Sequence, residues 1–225
     1  MPSPAPDSAR IFTPSTSFSY GDDGRRATLS VVEVGEQGLP TGRLVACDPF
    51  VYLGTDGAEP FTVEVDPGRY RVDAAVATPV YPSDRPETRR HTRIVVRDVP
   101  AVARELALVP GGDPAELGED EDFGYDVDAG TGCFYDASAD GAFPGTEDEE
   151  GAVWGVMETA GYGPAVFMAE GDDGHSLAGF ASGWGDGCYP TWIGRDASGE
   201  VVCFVTDFRV TPRSRPYGLT AVSGL

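Results

Sequence analysis

The chain has 225 residues and a formal net charge of −21, with 40% apolar residues, 30 Gly and 19 Pro. That length and apolar content are enough to bury a core and exclude a disordered chain, while Gly and Pro scattered among apolar runs exclude a collagen-like repeat. No apolar run approaches the roughly 18–20 residues of a membrane-spanning helix, and so acidic a chain is unsuited to attracting nucleic acid or an anionic membrane.

Residues 1–24 are rich in Pro, Ser and Asp and read as an extended or flexible arm. The opening MPSPAPDSARIF has no basic segment followed by an apolar one, so a cytoplasmic location is expected. Ala27–Val34 (ATLSVVEV) reads as a strand and Gly42–Cys47 (GRLVAC) as the next. Asp48-Pro49 ends the second, because Pro has no N–H to donate and disfavours helical backbone in the residue before it. Phe61–Val65 (FTVEV) alternates with the period of two of a half-buried strand, predicting a hairpin with Arg69–Ala77 across Asp66-Pro67-Gly68. Thr92–Val96 and Val102–Val109 add two more strands, completing an N-terminal half over residues 25–110.

Residues 111–121 (GGDPAELGEDE) form a connector in which Asp113-Pro114 caps a single helical turn. Beyond it, residues 122–225 form an acidic β-rich C-terminal half. Its strand candidates are the start of Gly124–Tyr135, then Val153–Thr159, Pro164–Ala169 and Leu177–Ser182. A hairpin of Thr191–Gly194 with Glu200–Asp207 follows. No stretch longer than two turns repeats every 3.6 residues. The expected fold is mainly β with little helix: an antiparallel β-sandwich-like N-terminal half packed on the acidic C-terminal half as one unit.

The charge is segregated. Residues 1–104 hold 12 Arg against 14 acids, residues 105–194 hold 20 acids and no Lys or Arg, and residues 195–225 hold 4 Arg against 3 acids. A block of that kind attracts cations or basic protein surfaces. Glu147, Asp148, Glu149 and Glu150 form its densest run and are the candidate partner-binding residues.

Asp126 and Asp128 in GYDVDAG, Asp136 just beyond, Asp186 in GWGDG and Asp207 in VTDF make up a carboxylate set. Asp126 and Asp128 are two apart, so an extended strand puts both on one face. Asp126, Asp128, Asp186 and Asp207 are therefore candidate ligands for calcium or magnesium, which prefer oxygen donors on flexible loops. The same carboxylates suit acid/base hydrolysis if their pKa values are split, and the structural alternative is that each caps a turn. Trp184, Tyr189 and Trp192 are candidate pocket residues beside Asp186, with a core role for Trp192 as the alternative.

Cys47, Cys133, Cys188 and Cys203 form no CxxC pair, and with two His in the chain no zinc set is expected. All four are expected as free thiols. Cys188 in GDGCYP lacks nearby cations, which would raise its pKa instead of activating it.

The order GRLVACDPF, DPGRYRV, RELAL, GYDVDAGTGCFYD, FASGWGDGCYPTWIG and GEVVCFVTDF resembles the uncharacterised bacterial domain-of-unknown-function family 4241, over residues 40–210. The resemblance implies membership and brings no activity, cofactor or catalytic residue with it. The function expected from the residues is that of an acidic, non-enzymatic binding or regulatory protein engaging a basic protein partner, such as an antagonist of a toxin or nuclease. A metal-dependent hydrolase and a calcium-binding β module are the alternatives.

Overall fold

Apolar runs punctuated by Gly and Pro make short strands, and in the computed structural model thirteen of them lie among the described residues. These residues are 3–20, 25–79, 89–143, 151–160, 166–183 and 185–209. In chain order the first six strands are β1 (Ser17–Tyr20), β2 (Arg25–Leu39), β3 (Leu44–Cys47), β4 (Gly68–Pro79), β5 (Arg89–Val95) and β6 (Ala103–Leu106). Then come β7 (Tyr125–Val127), β8 (Thr131–Asp136), β9 (Val166–Glu170) and β10 (Ser176–Ala181). The last are β11 (Gly187–Tyr189), β12 (Thr191–Arg195) and β13 (Val201–Asp207). The helices are short: α1 (Ser8–Ile11) and α2 (Ala152–Ala160), with three 3-10 turns.

The fold is mainly antiparallel β with few helices, as expected. A seven-stranded sheet runs β1-β2-β4-β5-β13-β12-β6, a four-stranded sheet runs β3-β8-β10-β9, and β11 pairs with β7. The two sequence halves exchange strands: β12 and β13 complete the larger sheet beside β5 and β6, while β3 joins β8 in the smaller one. The hairpin read over Thr191–Asp207 forms as β12 and β13.

The smaller sheet is buried on both faces, and its side chains alternate between two cores. Leu44, Ala46, Phe134, Ala178 and Phe180 face the larger sheet, meeting Leu29, Val72, Ile94, Ile193 and Phe204. Val45, Cys47, Cys133, Tyr135 and Leu177 face the other way, onto Phe143, Val153 and Met157. Gly179 keeps this sheet thin, since a Cβ there would lie 2.2 Å from the ring of Phe167 on the adjacent strand.

Three expectations are corrected. Val153–Thr159 belongs to α2 and is not a strand: Val153 and Met157, four apart, are both buried on one helical face. Phe61–Val65 forms no strand, because β4 is taken along its length by β2 on one side and β5 on the other. Its backbone bonds outward instead, Phe61 N to Leu44 O at 2.9 Å, Thr62 N to Leu108 O at 2.8 Å and Val65 N to Gly42 O at 3.0 Å. Over residues 3–20 the expected arm is α1 and β1, anchored by the buried Ile11, Phe12 and Phe18, with Arg93 stacked 4.3 Å over the Phe12 ring. The capped turn at Asp113-Pro114 forms, Ala115 N donating to Asp113 Oδ1 at 2.9 Å. No helix among the described residues is long and apolar enough to cross a membrane.

Asp136, buried at the end of β8, ties the β2–β3 connection to the next turn. Thr41 N donates to its Oδ2 at 3.0 Å and Ser138 N to its Oδ1 at 2.9 Å, and the hydroxyls of Thr41 and Ser138 donate as well. Burial alone would raise its pKa, but the hydrogen bonds from Ser138 and Thr41 outweigh it and hold the carboxyl below its ordinary value. A depressed carboxylate stabilises the fold above its unfolded pKa of about 3.9 and loses that contribution as pH falls through the folded value. Thermal melts should therefore show a falling midpoint below about pH 4. Asp136→Asn should lower the midpoint at pH 7 and flatten this acid limb; an acid limb of unchanged slope would refute the assignment.

Candidate functional site

β3 ends at Cys47, and Asp48-Pro49 turns the chain into a loop that returns at Pro60, bridged to Val45. Asp48 is fully buried, and its carboxylate accepts from three backbone N–H groups: Phe50 at 3.0 Å, Asp128 at 3.0 Å and Ala129 at 2.6 Å. It thereby clamps this loop to the turn between β7 and β8. Burial pushes its carboxyl up, against the pull of the three N–H groups, and the neighbouring Asp128 adds to the rise. The Tyr52 hydroxyl donates to Asp128, a bond that pushes the Tyr52 pKa up to about 12. Asp126 and Asp128 are both exposed while Val127 between them is buried, so the two carboxylates do share one face.

Beside this clamp lies a cavity of about 230 Å³. Its inner wall consists of the buried residues Ala46, Cys47, Phe61, Ala107 and Thr191. Tyr52, Glu59 and Asp126 stand at its mouth, Phe123 and Tyr125 line one side, and no Arg among the described residues lines it. At the deep end, Thr191 Oγ1 lies 3.1 Å from Thr206 Oγ1, which accepts from the Tyr125 hydroxyl at 3.5 Å. Burial holds that phenol far above its ordinary pKa, so it stays a neutral donor.

The four-carboxylate cluster does not form. Asp207 lies buried in the larger sheet, its Oδ1 3.2 Å from His91 Nδ1 and accepting from Arg209 N at 2.7 Å. Asp126 and Asp128 face solvent from the two-stranded sheet, and Asp186 is exposed in the turn after Gly185, whose φ of +85° needs glycine. Among the described residues no three His, Cys, Asp or Glu are placed to hold a metal ion. The physical reason is that β13 directs Asp207 inward, whereas Asp126 on β7 and Asp128 in the turn after it are directed outward. The four carboxylates expected as one set are thus not brought together among the described residues.

The aromatic expectation also changes. Tyr189 is buried, its ring edge-to-face with Phe208 at 4.8 Å and its hydroxyl donating to Gly185 O at 3.1 Å. Trp192 is buried opposite Val205 on β13 and Leu106 on β6. Neither lines the cavity; both are buried in the core, Tyr189 at the end of β11 against Phe208 and Trp192 on β12. Trp184 and the run Glu147, Asp148, Glu149 and Glu150 lie outside the described residues.

All four cysteines are free. Cys47 and Cys133 stand opposite each other on β3 and β8 with their sulfurs 3.7 Å apart, both buried. Cys188 is exposed and pairs with Asp126 across β7 and β11. Loss of water around its sulfur raises the thiol pKa, Asp126 and Asp122 raise it further, and Arg209 opposes them.

A family model described as "Protein of unknown function (DUF4241)" matches residues 38–206. The chain belongs to this family. Among curated proteins and among solved structures nothing matches significantly. The family match spans Asp48, Tyr52, Asp126 and Asp128, so the clamp and the cavity lie within the family's domain.

The site residues that sequence reasoning missed are Asp48, Tyr52, Glu59, Ala107 and Thr191. Asp48-Pro49 reads only as a strand end, because two of the three N–H groups that Asp48 accepts lie 80 and 81 residues away in the chain.

Iodoacetamide should label Cys188 first in the native protein, yet at pH 7 more slowly than a free thiol of pKa about 8.5. Asp126→Asn should speed that labelling several-fold by removing the adjacent negative charge. Labelling at pH 7 faster than free cysteine, followed by mass spectrometry, would contradict this account.

Proposed function

We propose that this protein is an acidic, non-enzymatic binding or regulatory protein that engages a basic protein partner through the surface of residues 113–173. The observation that carries the reading is how the ion pairs are distributed. Arg71 and Arg93 both pair with Asp73, at 3.1 and 2.7 Å; Arg69 pairs with Glu36 and Arg97 with Asp196. Three of these four arginines are matched within the first hundred residues, and Arg97 is matched by an acid outside the 105–194 block. Between described residues, two ion pairs reach the acidic block, Arg195 with Glu105 and Arg209 with Asp122. Of the block's other described acids, Asp113, Glu116, Asp126, Asp140 and Asp172 are exposed, while Asp136 is buried.

Such a field steers a cationic partner and raises its on-rate by about 10 to 1,000-fold, with strong dependence on ionic strength. It also repels nucleic acid and anionic lipid. A basic toxin or nuclease held inactive by the complex is the partner class that fits.

Proteins captured from cytoplasm at low salt on the immobilised chain should be basic, and should elute as salt is raised beyond physiological strength. With a captured partner in hand, Gln at positions 147 to 150 in place of Glu147, Asp148, Glu149 and Glu150 should slow association about tenfold and flatten its salt dependence. An unchanged association rate would remove the reading.

A further inference from the structure

The cavity beside Asp48 combines an apolar interior with a negative mouth, and it lies against the acidic block. Its volume of about 230 Å³ falls below the roughly 300–1,000 Å³ of pockets that enclose drug-sized ligands, and suits one large side chain. The inner wall of Ala46, Phe61 and Ala107 offers dispersion contact, while Phe61, Phe123 and Tyr125 offer ring edges and faces to an aromatic guest. The Thr191 hydroxyl is the polar group set into that wall. Glu59 and Asp126 are exposed at the mouth with Asp128 close by, held in place through Tyr52 and the backbone clamp of Asp48. A cation entering head-first would leave water for an apolar wall and gain no carboxylate inside, whereas cations on either side of an apolar guest meet carboxylates that remain solvated.

We propose that this cavity is the anchoring pocket of the interface: it receives an aromatic side chain of the partner, flanked in the partner's sequence by Arg or Lys. This inference rests on the basic-partner reading and adds to it where the contact is centred and which side chain carries it. Anchors of this kind dominate binding where a pocket excludes water and a polar rim surrounds it. The clamp makes the pocket pre-formed, so little ordering is needed on binding.

The test uses the full chain and three capped peptide probes, RRWRR, RRARR and EEWEE, followed by amide NMR shifts and titration. RRWRR should shift the amides of Ala46, Ala107 and Thr191 and bind at least about tenfold more tightly than either other probe. Ala107→Leu, which fills the interior, should weaken RRWRR about tenfold and leave RRARR unchanged. Should Ala107→Leu fail to fold, the rim double variant Glu59→Gln with Asp126→Asn replaces it, and should reduce the preference of RRWRR over EEWEE. Equal binding of RRWRR and RRARR, both tighter than EEWEE, would overturn the pocket while leaving the basic-partner reading intact. Equal binding of RRWRR and EEWEE would overturn the proposal by removing the basic flanks, and with them the partner reading.

Discussion

The structure depends on one constraint, the burial of the four-stranded sheet on both faces. Strands β3, β8 and β10 are buried along nearly their whole length and supply side chains in both directions, while the edge strand β9 is buried at alternate positions. That requires a cover on either side. The larger sheet provides one and α2, with the segment through Phe143, provides the other. Burying a side chain of the size of Phe134, Phe180 or Leu177 contributes about 1.5–3 kcal/mol, whereas an exposed ion pair such as Arg69 with Glu36 contributes about 0–1 kcal/mol. The layers are therefore held by packing, and exposed pairs such as Arg69 with Glu36 add little to them.

The site follows from the edge of this arrangement. Where β3 leaves the buried sheet, its first polar residue, Asp48, still lies in the interior and must be satisfied there. Three backbone N–H groups from the loop after it and from the turn between β7 and β8 do so. Satisfying this one carboxylate fixes the loop that carries Tyr52 and Glu59 against the strand that carries Asp126. A pocket with an apolar wall and a carboxylate mouth results, and its shape does not depend on a ligand to create it. Charge then has a different role from packing: exposed acids of the block add little to stability.

Much of the architecture was legible in the residues. The mainly β character, the Thr191–Asp207 hairpin, the capped turn at Asp113 and the free cysteines all follow from local chemistry. The errors have a common cause. Val153–Thr159 was too short to betray a helical period, and its helical state is decided by the core it covers. Phe61–Val65 carries the alternation of a strand, but β4 already has partners on both edges. Tyr189 and Trp192 carry aromatic rings suited to a pocket, and strand neighbours enclose them instead. The aspartates are correctly read as a face at Asp126 and Asp128, yet Asp207 belongs to a strand that points the other way.

By itself the sequence determined composition-level and local properties: the acidic block free of cations, the turn-rich β character, family-level likeness, and the shared face of Asp126 and Asp128. These depend on residues a few positions apart, and the backbone period carries them. Only the tertiary structure decided that Asp48 would bind N–H groups 80 residues on, that Ala107 and Thr191 would share a wall with Ala46, and that Asp207 would pair with His91. Those neighbours come from strands exchanged between the two halves of the chain. Strand exchange is driven by burial of whole sheet faces, which no local pattern encodes.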